Sequence, residues 1–249
     1  MSMLLGLAMV LTPALAQGNG GGNGKKKGGE YALLSGELPG TAHTLKKGQF
    51  KVSVLEQSGY GLSPKTELNT TLRAWRGGPN LGVEHQLFGR GGAALSLGVG
   101  ATSTWDFNSQ ALSAGLMYTL GPPRENRFNL GAGVGLATTD PGSGLDRINT
   151  LGTNLHLGYD VVLKPKQTVQ FSADVDPLNS GRASAFLGTG TVAYNRGWKT
   201  VRVRAGLRVG DNLAETSVNG SWLVTSGTVD PQDLPRWAPM PFVDLWGLF

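Results

Sequence analysis

Short segments in which apolar residues alternate with small or polar residues run along most of the chain from residue 30 onward. In FNLGAGVGLATTD, at 128–140, three glycines occupy odd-numbered positions and apolar residues occupy the even-numbered positions. Each such set of alternate positions is called a parity here. A period of two residues is typical of β-strands, because their side chains point alternately to opposite faces. Turn residues separate the segments. The pattern predicts an all-β chain with about twelve strands, or ten as an alternative, at 31–36, 49–57, 66–75, 80–88, 93–104, 110–120, 127–138, 150–163, 168–176, 185–195, 200–210 and 241–249.

The two faces of these strands differ in a way that favours a barrel. In 201–210 one face reads Val, Val, Ala, Leu, Val and the other reads Arg, Arg, Gly, Arg, Gly. A soluble β-sandwich also alternates, so alternation alone does not choose between the two architectures. The polar faces are, however, rich in Gly, Ser, Thr and Asn rather than in solvated Lys and Glu, as expected of a confined lumen. We therefore expect a closed antiparallel transmembrane β-barrel.

The N-terminal residues predict export. MSMLLGLAMVLTPALA has a short apolar stretch and a small-x-small end, which indicates a cleaved signal peptide at 1–16. A buried N-terminal helix is the alternative. Residues 17–29, QGNGGGNGKKKGG, contain no apolar side chain and predict a flexible basic linker. The barrel would then comprise residues 30–249.

Composition excludes several classes of function. The chain has no cysteine, which excludes disulfides, thiolate metal sites and cysteine nucleophiles. Its net charge is +5, but the basic residues are dispersed and only residues 25–27 form a run. We therefore expect no nucleic-acid partner.

The C-terminal sequence FVDLWGLF, with Trp246 and the terminal Phe249, resembles the strand by which bacterial outer-membrane barrels are recognised for insertion. YGLSPKTELNTTL and GPNLGVEHQLF are similar to motifs of small outer-membrane barrels of porin-like type. This resemblance implies the outer membrane of a Gram-negative bacterium, with lipid and the barrel-assembly machinery as partners. Short connections alternate with longer ones, as in outer-membrane barrels with short periplasmic turns. Because the strand count is even, we expect both chain termini on the periplasmic side. Aromatic residues toward the strand ends predict interfacial girdles.

Ionisable residues on the inward parity are the main candidate functional set. We expect them to pair across strands and to form either a constriction that selects ions by charge or a salt network that fills the lumen. The set comprises Arg73, Arg127, Arg202, Arg204, Arg208, Glu67, Glu84, Asp160, Asp174, Asp176 and His156.

Catalysis is a weaker possibility. A hairpin around residues 164–167 would bring His156 opposite Asp174 or Asp176, as a hydrolase requires, but no inward serine accompanies them. Neither outer-membrane phospholipases nor omptin-type proteases can be matched residue by residue. His43, His85 and His156 are scattered, and His85 has the outward parity. We expect no enzyme activity, no metal and no cofactor.

Two functions remain after these exclusions. The first is a small passive pore that the arginines of 202–208 bias toward anions. The second is a plugged anchor for a trans-envelope machine for gliding motility, export or polysaccharide secretion, with periplasmic or outer-membrane partner proteins. The long loop 211–240 and the basic linker favour the second, because both exceed what a minimal pore requires. An outer-membrane hydrolase is the remote alternative.

Overall fold

The computed structural model describes residues 38–90, 92–122, 125–140, 142, 146–164, 166–175, 177, 188–198, 200–210 and 239–249. These residues form twelve strands and a short 3-10 helix, Leu72–Arg76. The strands are β1 Phe50–Ser53, β2 Gln57–Ser63, β3 Thr66–Thr71, β4 Asn80–Arg90, β5 Ala93–Ser103, β6 Ser109–Leu120, β7 Arg127–Thr139, β8 Ile148–Lys164, β9 Gln167–Val175, β10 Gly188–Trp198, β11 Val201–Gly210 and β12 Met240–Leu248.

The twelve strands close into a barrel. Each strand pairs antiparallel with its neighbours in the chain, and β12 pairs with β1, so that Val52 lies opposite Gly247. The closure leaves no sheet edge in the ring, which removes the unpaired backbone groups of an open sheet. The prediction of a closed antiparallel β-barrel with about twelve strands is confirmed. No helix among the described residues is long and apolar enough to cross a membrane.

The connections differ at the two ends of the barrel. One end, called the turn end here, carries Phe50, Phe249 and the connections 64–65, 91–92, 121–126, 165–166 and 199–200. The opposite loop end carries 54–56, 72–79, 104–108, 140–147, 176–187 and 211–239. Most loop-end connections are longer than the turn-end ones, as predicted, but 54–56 at the loop end has three residues and 121–126 at the turn end has six.

The outer face of the ring is apolar. Exposed side chains in its middle include Leu97, Val99, Leu112, Leu116, Leu130, Val134, Leu151, Leu155, Val192, Leu207, Val243 and Leu245. Aromatic side chains near the turn end include Phe50, Tyr60, Phe88, Tyr118, Phe128, Tyr159, Phe171, Tyr194 and Trp198. At the loop end, Trp75 and Trp105 pack edge to face with ring centroids 6.2 Å apart. These aromatic side chains lie where a girdle would place them, whereas Phe242 and Trp246 of β12 face the lumen.

Three predicted segments need correction. The predicted strand 49–57 is wrong, because β1 ends at Ser53 and the chain turns back over residues 54–56. Residues 58–65, which are rich in Gly and Ser, lie between two predicted strands and are expected from the sequence to form a turn. Most of them belong instead to strand β2, whose glycines lie against neighbouring backbone. The predicted strand 66–75 ends at Thr71, where the 3-10 helix begins. The predicted strand at 31–36, the signal peptide, the linker and most of the loop 211–240 lie outside the described residues.

Candidate functional site: the barrel lumen

The lumen is lined by buried polar side chains. In β11, Arg202 and Arg204 are buried, whereas Val201 and Leu207 are exposed on the outer face. In β7, the three glycines at 131, 133 and 135 face inward, and a Cβ on Gly131 would lie 2.8 Å from the Cε atom of Met117. Glycine on the inner parity therefore makes room for longer lumen side chains. The burial is inverted relative to a soluble domain, with polar groups inside and apolar groups outside.

Residues 38–49 are called the inner segment here; residues 38–45 lie inside the turn-end half of this lumen, and residues 46–48 are exposed before β1 begins. The Ala42 amide donates to Thr119 Oγ1 at 2.8 Å, and the Leu45 amide donates to Glu67 Oε2 at 2.7 Å. Gln170 Nε2 donates to the carbonyl oxygen of residue 39 at 2.8 Å. These wall residues belong to β6, β3 and β9, which lie on different sides of the ring. The inner segment therefore crosses the lumen rather than covering its outer surface.

Apolar contacts fix both halves of the inner segment. Leu38 packs against Trp246 of β12, and Ala42 forms a buried cluster with Ala94 and Met117. A Cβ on Gly40 would lie 2.8 Å from His156 Nε2, so the backbone passes directly over the imidazole. Residue 40 has a φ of +73°, a conformation that glycine adopts at little cost.

Hydrogen bonds connect the inner segment to a buried ion pair. Thr119 Oγ1, which accepts from Ala42, donates to Asn129 Oδ1 at 2.8 Å. Asn129 Nδ2 and Arg127 Nη2 both donate to Asp160 Oδ2, at 3.1 Å and 2.9 Å. The Arg127 and Asp160 side chains are fully buried. Their pairing confirms the expectation that inward charges pair across strands.

Two other inward side chains pair with acids toward the loop end. His156 Nδ1 lies 2.7 Å from Asp174 Oδ1, as the predicted hairpin implies. Arg204 Nη1 donates to Glu56 Oε2 at 2.7 Å. Glu56 lies in the β1–β2 connection, inside the predicted strand 49–57, where it falls on the same alternate positions as the apolar residues Val52 and Val54. The sequence therefore does not single it out.

Asp244 is a buried lumen residue that its position on the inward face could have identified. It shares the inward parity of Trp246, accepts from Ser53 Oγ at 2.7 Å and accepts from the Leu55 amide at 2.8 Å. It therefore holds the β1–β2 connection against the wall.

Three members of the predicted site set are placed differently from expectation. Arg73 does not lie in a strand; it lies in the exposed 3-10 helix at the loop end. Glu67 and Glu84 lie opposite each other in β3 and β4, so that each acid faces another acid across the strands. Asp176 lies outside the described residues. Arg202 faces the lumen as predicted and donates to the carbonyl oxygens of Trp198 and Val201.

The two aromatic residues of the predicted insertion signal differ in position. Trp246 is buried in the lumen, with Lys51 Nζ 5.6 Å from its ring, so the girdle position expected for it is wrong. Phe249 is exposed at the turn end, and its backbone exchanges two hydrogen bonds with Phe50.

Within the described part of the chain, no nucleophile lies beside His156. Among the described residues, His156 Nε2 has no hydrogen-bond partner, and Gly40 occupies the position where a nucleophile would lie. His85 is exposed on the outer face, as its parity predicts, with Nδ1 2.9 Å from Thr66 Oγ1. Ser63 Oγ donates to the same hydroxyl at 3.0 Å, a contact that the sequence does not suggest.

His43 lies in the inner segment near the buried ion pair. Burial, together with the guanidinium of Arg127, lowers the pKa of His43 from 6.5 to about 4. The imidazole is therefore neutral at pH 7. The described residues contain no group of three or more His, Asp or Glu side chains that could hold a metal ion.

Comparisons with known proteins do not identify a relative. No protein-family model matches the chain. No curated protein is significantly similar to it. The resemblance to porin-like outer-membrane barrels therefore stays a prediction from the motifs. The class that the fold itself defines is a closed twelve-stranded antiparallel β-barrel whose lumen contains the chain's own inner segment.

Proposed function

We propose that this chain is an integral outer-membrane β-barrel without enzyme activity, which its inner segment keeps closed and which serves as an anchor for an envelope assembly. The observation on which the closed state depends is that residues 38–45 are hydrogen-bonded to β3, β6 and β9 across the lumen. A barrel of twelve strands is intermediate in width between side-chain-filled barrels and open channels. A segment of polypeptide across its lumen is therefore a substantial obstruction.

The outer face supports the membrane location. Exposed leucines and valines surround the ring, with aromatic side chains toward both ends. A soluble monomer rarely exposes an apolar surface of this extent. In lipid the same surface is favourable, because the closed ring satisfies the backbone of every strand. We place the turn end, with both termini of the ring, in the periplasm and the long connections outside the cell.

A passive pore is the second candidate. It is favoured by the way in which residues 38–45 are held: they join no strand of the ring, and their hydrogen bonds to Thr119, Glu67 and Gln170 each involve a side chain of the wall. Withdrawal of these residues would leave the ring intact and expose a polar lumen. In this case the chain would conduct only when the segment leaves.

A reversible cross-link distinguishes the two candidates. Ala42 of the inner segment and Ala94 of β5 are buried in one cluster, and the chain has no cysteine of its own. The variant with Ala42→Cys and Ala94→Cys is refolded as the full chain and recorded in planar bilayers, oxidised and then reduced. The Ala42→Cys single variant is the matched control.

The outcomes of this recording are distinct. A closed anchor gives no channels in either redox state, in either variant or in the unaltered chain. A gated pore gives channels in the reduced double variant that disappear on oxidation. Steady channels in the oxidised, cross-linked protein would show that the inner segment does not close the lumen, and the proposal would be wrong.

Partners are tested separately. An anchor is expected to co-purify with specific periplasmic proteins, and replacing the linker 17–29 with an uncharged sequence of equal length should weaken this association. A simple pore is expected to purify alone or as a homo-oligomer.

A further inference from the structure

A column of three side chains lines the loop-end half of the lumen. Phe242 of β12 lies opposite Gly206 of β11, and Arg204 and Arg208 flank that glycine on the same inward face. The guanidinium carbons of Arg204 and Arg208 lie 5.5 Å and 5.3 Å from the centre of the Phe242 ring. Both distances lie within the range of cation–π attraction. The ring therefore holds both guanidinium groups in place.

The carboxylates near this column are engaged by other groups. Glu56 accepts from Arg204, and Asp174 is paired with His156. Asp244 accepts from Ser53 and from the amide of Leu55. Among the described residues, Arg208 therefore differs from Arg204, because no hydrogen bond or ion pair fixes its guanidinium.

The carboxylates nearest to Arg208 are already engaged elsewhere. Of the charged groups that act on Arg208, Glu56 accepts from Arg204 and Asp174 is paired with His156. A half-buried guanidinium with unused donors is a strong site for a carboxylate or a phosphate, since its fork of N–H groups matches their oxygen atoms.

We propose that Arg208 is the anchoring group of an oxyanion-binding site in the loop-end half of the lumen, for a small carboxylate or phosphate ligand. The inner segment occupies the turn-end half, so the ligand enters from the loop end. Phe242 orients the guanidinium, and Arg204 with its partner Glu56 forms the floor of the site. The site goes beyond the proposed function, because it requires neither conduction nor a partner protein.

Isothermal titration of the refolded full chain in detergent tests the site with two probes, inorganic phosphate and acetate, at low chloride. We expect saturable binding of at least one probe at one site per chain. Arg208→Gln should weaken this binding at least about tenfold, because charge-assisted hydrogen bonds are lost. Arg208→Lys should recover part of it, since the charge returns without the fork. Phe242→Leu should weaken it with no change in charge.

Arg196→Gln is the matched control. Arg196 lies on the outer face over Trp198, 4.9 Å from the ring centre, and its replacement removes the same unit of charge. This variant should bind the probe as the unaltered chain does. Heat-modifiable migration in SDS gels confirms that each variant is folded. The proposal is overturned if neither probe binds saturably, if Arg208→Gln leaves binding unchanged, or if both glutamine variants weaken it equally.

Discussion

Glu67 of β3 and Glu84 of β4 lie directly opposite each other in the sheet register, and both are buried in the lumen. Glu67 also accepts the amide of Leu45, so one carboxylate of the pair is part of the attachment of the inner segment. Like charges at opposed positions of neighbouring strands destabilise a sheet. Keeping both carboxylates ionised at this contact with the segment would therefore cost the barrel stability.

Replacing one of these carboxylates should stabilise the barrel. Glu84→Gln removes the cost of burying a second acidic group beside Glu67 and keeps the size of the side chain, so we expect the free energy of unfolding to rise by about 1 kcal/mol. Urea unfolding in detergent at pH 8 measures the effect. Glu125→Gln is the control, because Glu125 is exposed in a connection at the turn end. A lower free energy of unfolding in Glu84→Gln, with no change in Glu125→Gln, would contradict this explanation.

The neutral imidazole of His43 should make stability depend on pH. Its pKa is about 4 in the folded chain, against 6.5 for an unperturbed histidine. Between these pH values the unfolded chain binds the proton more tightly than the folded chain does. The free energy of unfolding is therefore highest above about pH 6.5 and falls as the pH falls toward 4. The loss that His43 causes is at most about 3 kcal/mol.

Substitution separates the effect of His43 from that of the other titratable groups. His43→Gln should flatten the dependence of the urea midpoint between pH 7.5 and 4.5 relative to the unaltered chain. His85→Gln, on the outer face, should leave the dependence unchanged. Equal slopes in the unaltered chain and His43→Gln would show that His43 is not protonated on unfolding in this range.

The position of the inner segment should require glycine at residue 61, because the backbone of the segment passes close to it. A Cβ at this position would overlap the carbonyl oxygen of Lys46, and the Gly48 amide donates to the Gly61 carbonyl at 2.7 Å. We expect Gly61→Ala to lower the free energy of unfolding by about 2 kcal/mol, as overpacking does. In the control Gly190→Ala, the nearest atom would be 3.9 Å away, so little change should follow. Similar losses in both variants would contradict the close contact.

The buried pair of Arg127 and Asp160 should behave as a unit. Arg127→Leu leaves a buried carboxylate without its cation and should cost about 3–5 kcal/mol. The double variant with Asp160→Leu should recover part of this loss, because neither charge remains. A double-mutant cycle on urea midpoints measures the coupling. Additive effects of the two single changes would show that the pair is not coupled.

Surface labelling tests the proposed orientation. An epitope tag inserted at Asn108, in the loop-end connection 104–108, should be stained on intact cells. A tag inserted after Gly92, in the turn-end connection 91–92, should be stained only after permeabilisation. The reverse pattern would place the long connections in the periplasm and would overturn the orientation, although not the fold.

The sequence by itself determines the barrel and the direction of most strand side chains. Alternation over 201–210 assigns Arg202 and Arg204 to one face and Val201 and Leu207 to the other, and the structure confirms both assignments. Parity is a local property of an extended chain, so it can be deduced without knowledge of the partner strands. The alternation of short and long connections is equally local.

Only the tertiary structure determines what fills the lumen and which charges meet. The inner segment has no repeating pattern, and Ala42 reaches Thr119 across 77 positions of the chain. Arg204 reaches Glu56 across 148 positions, whereas parity alone suggests no such partner. The acids at 67 and 84 meet because two adjacent strands pair in one register out of several. Such contacts depend on ring closure and register, which are fixed by the packing of the whole barrel rather than by any one segment.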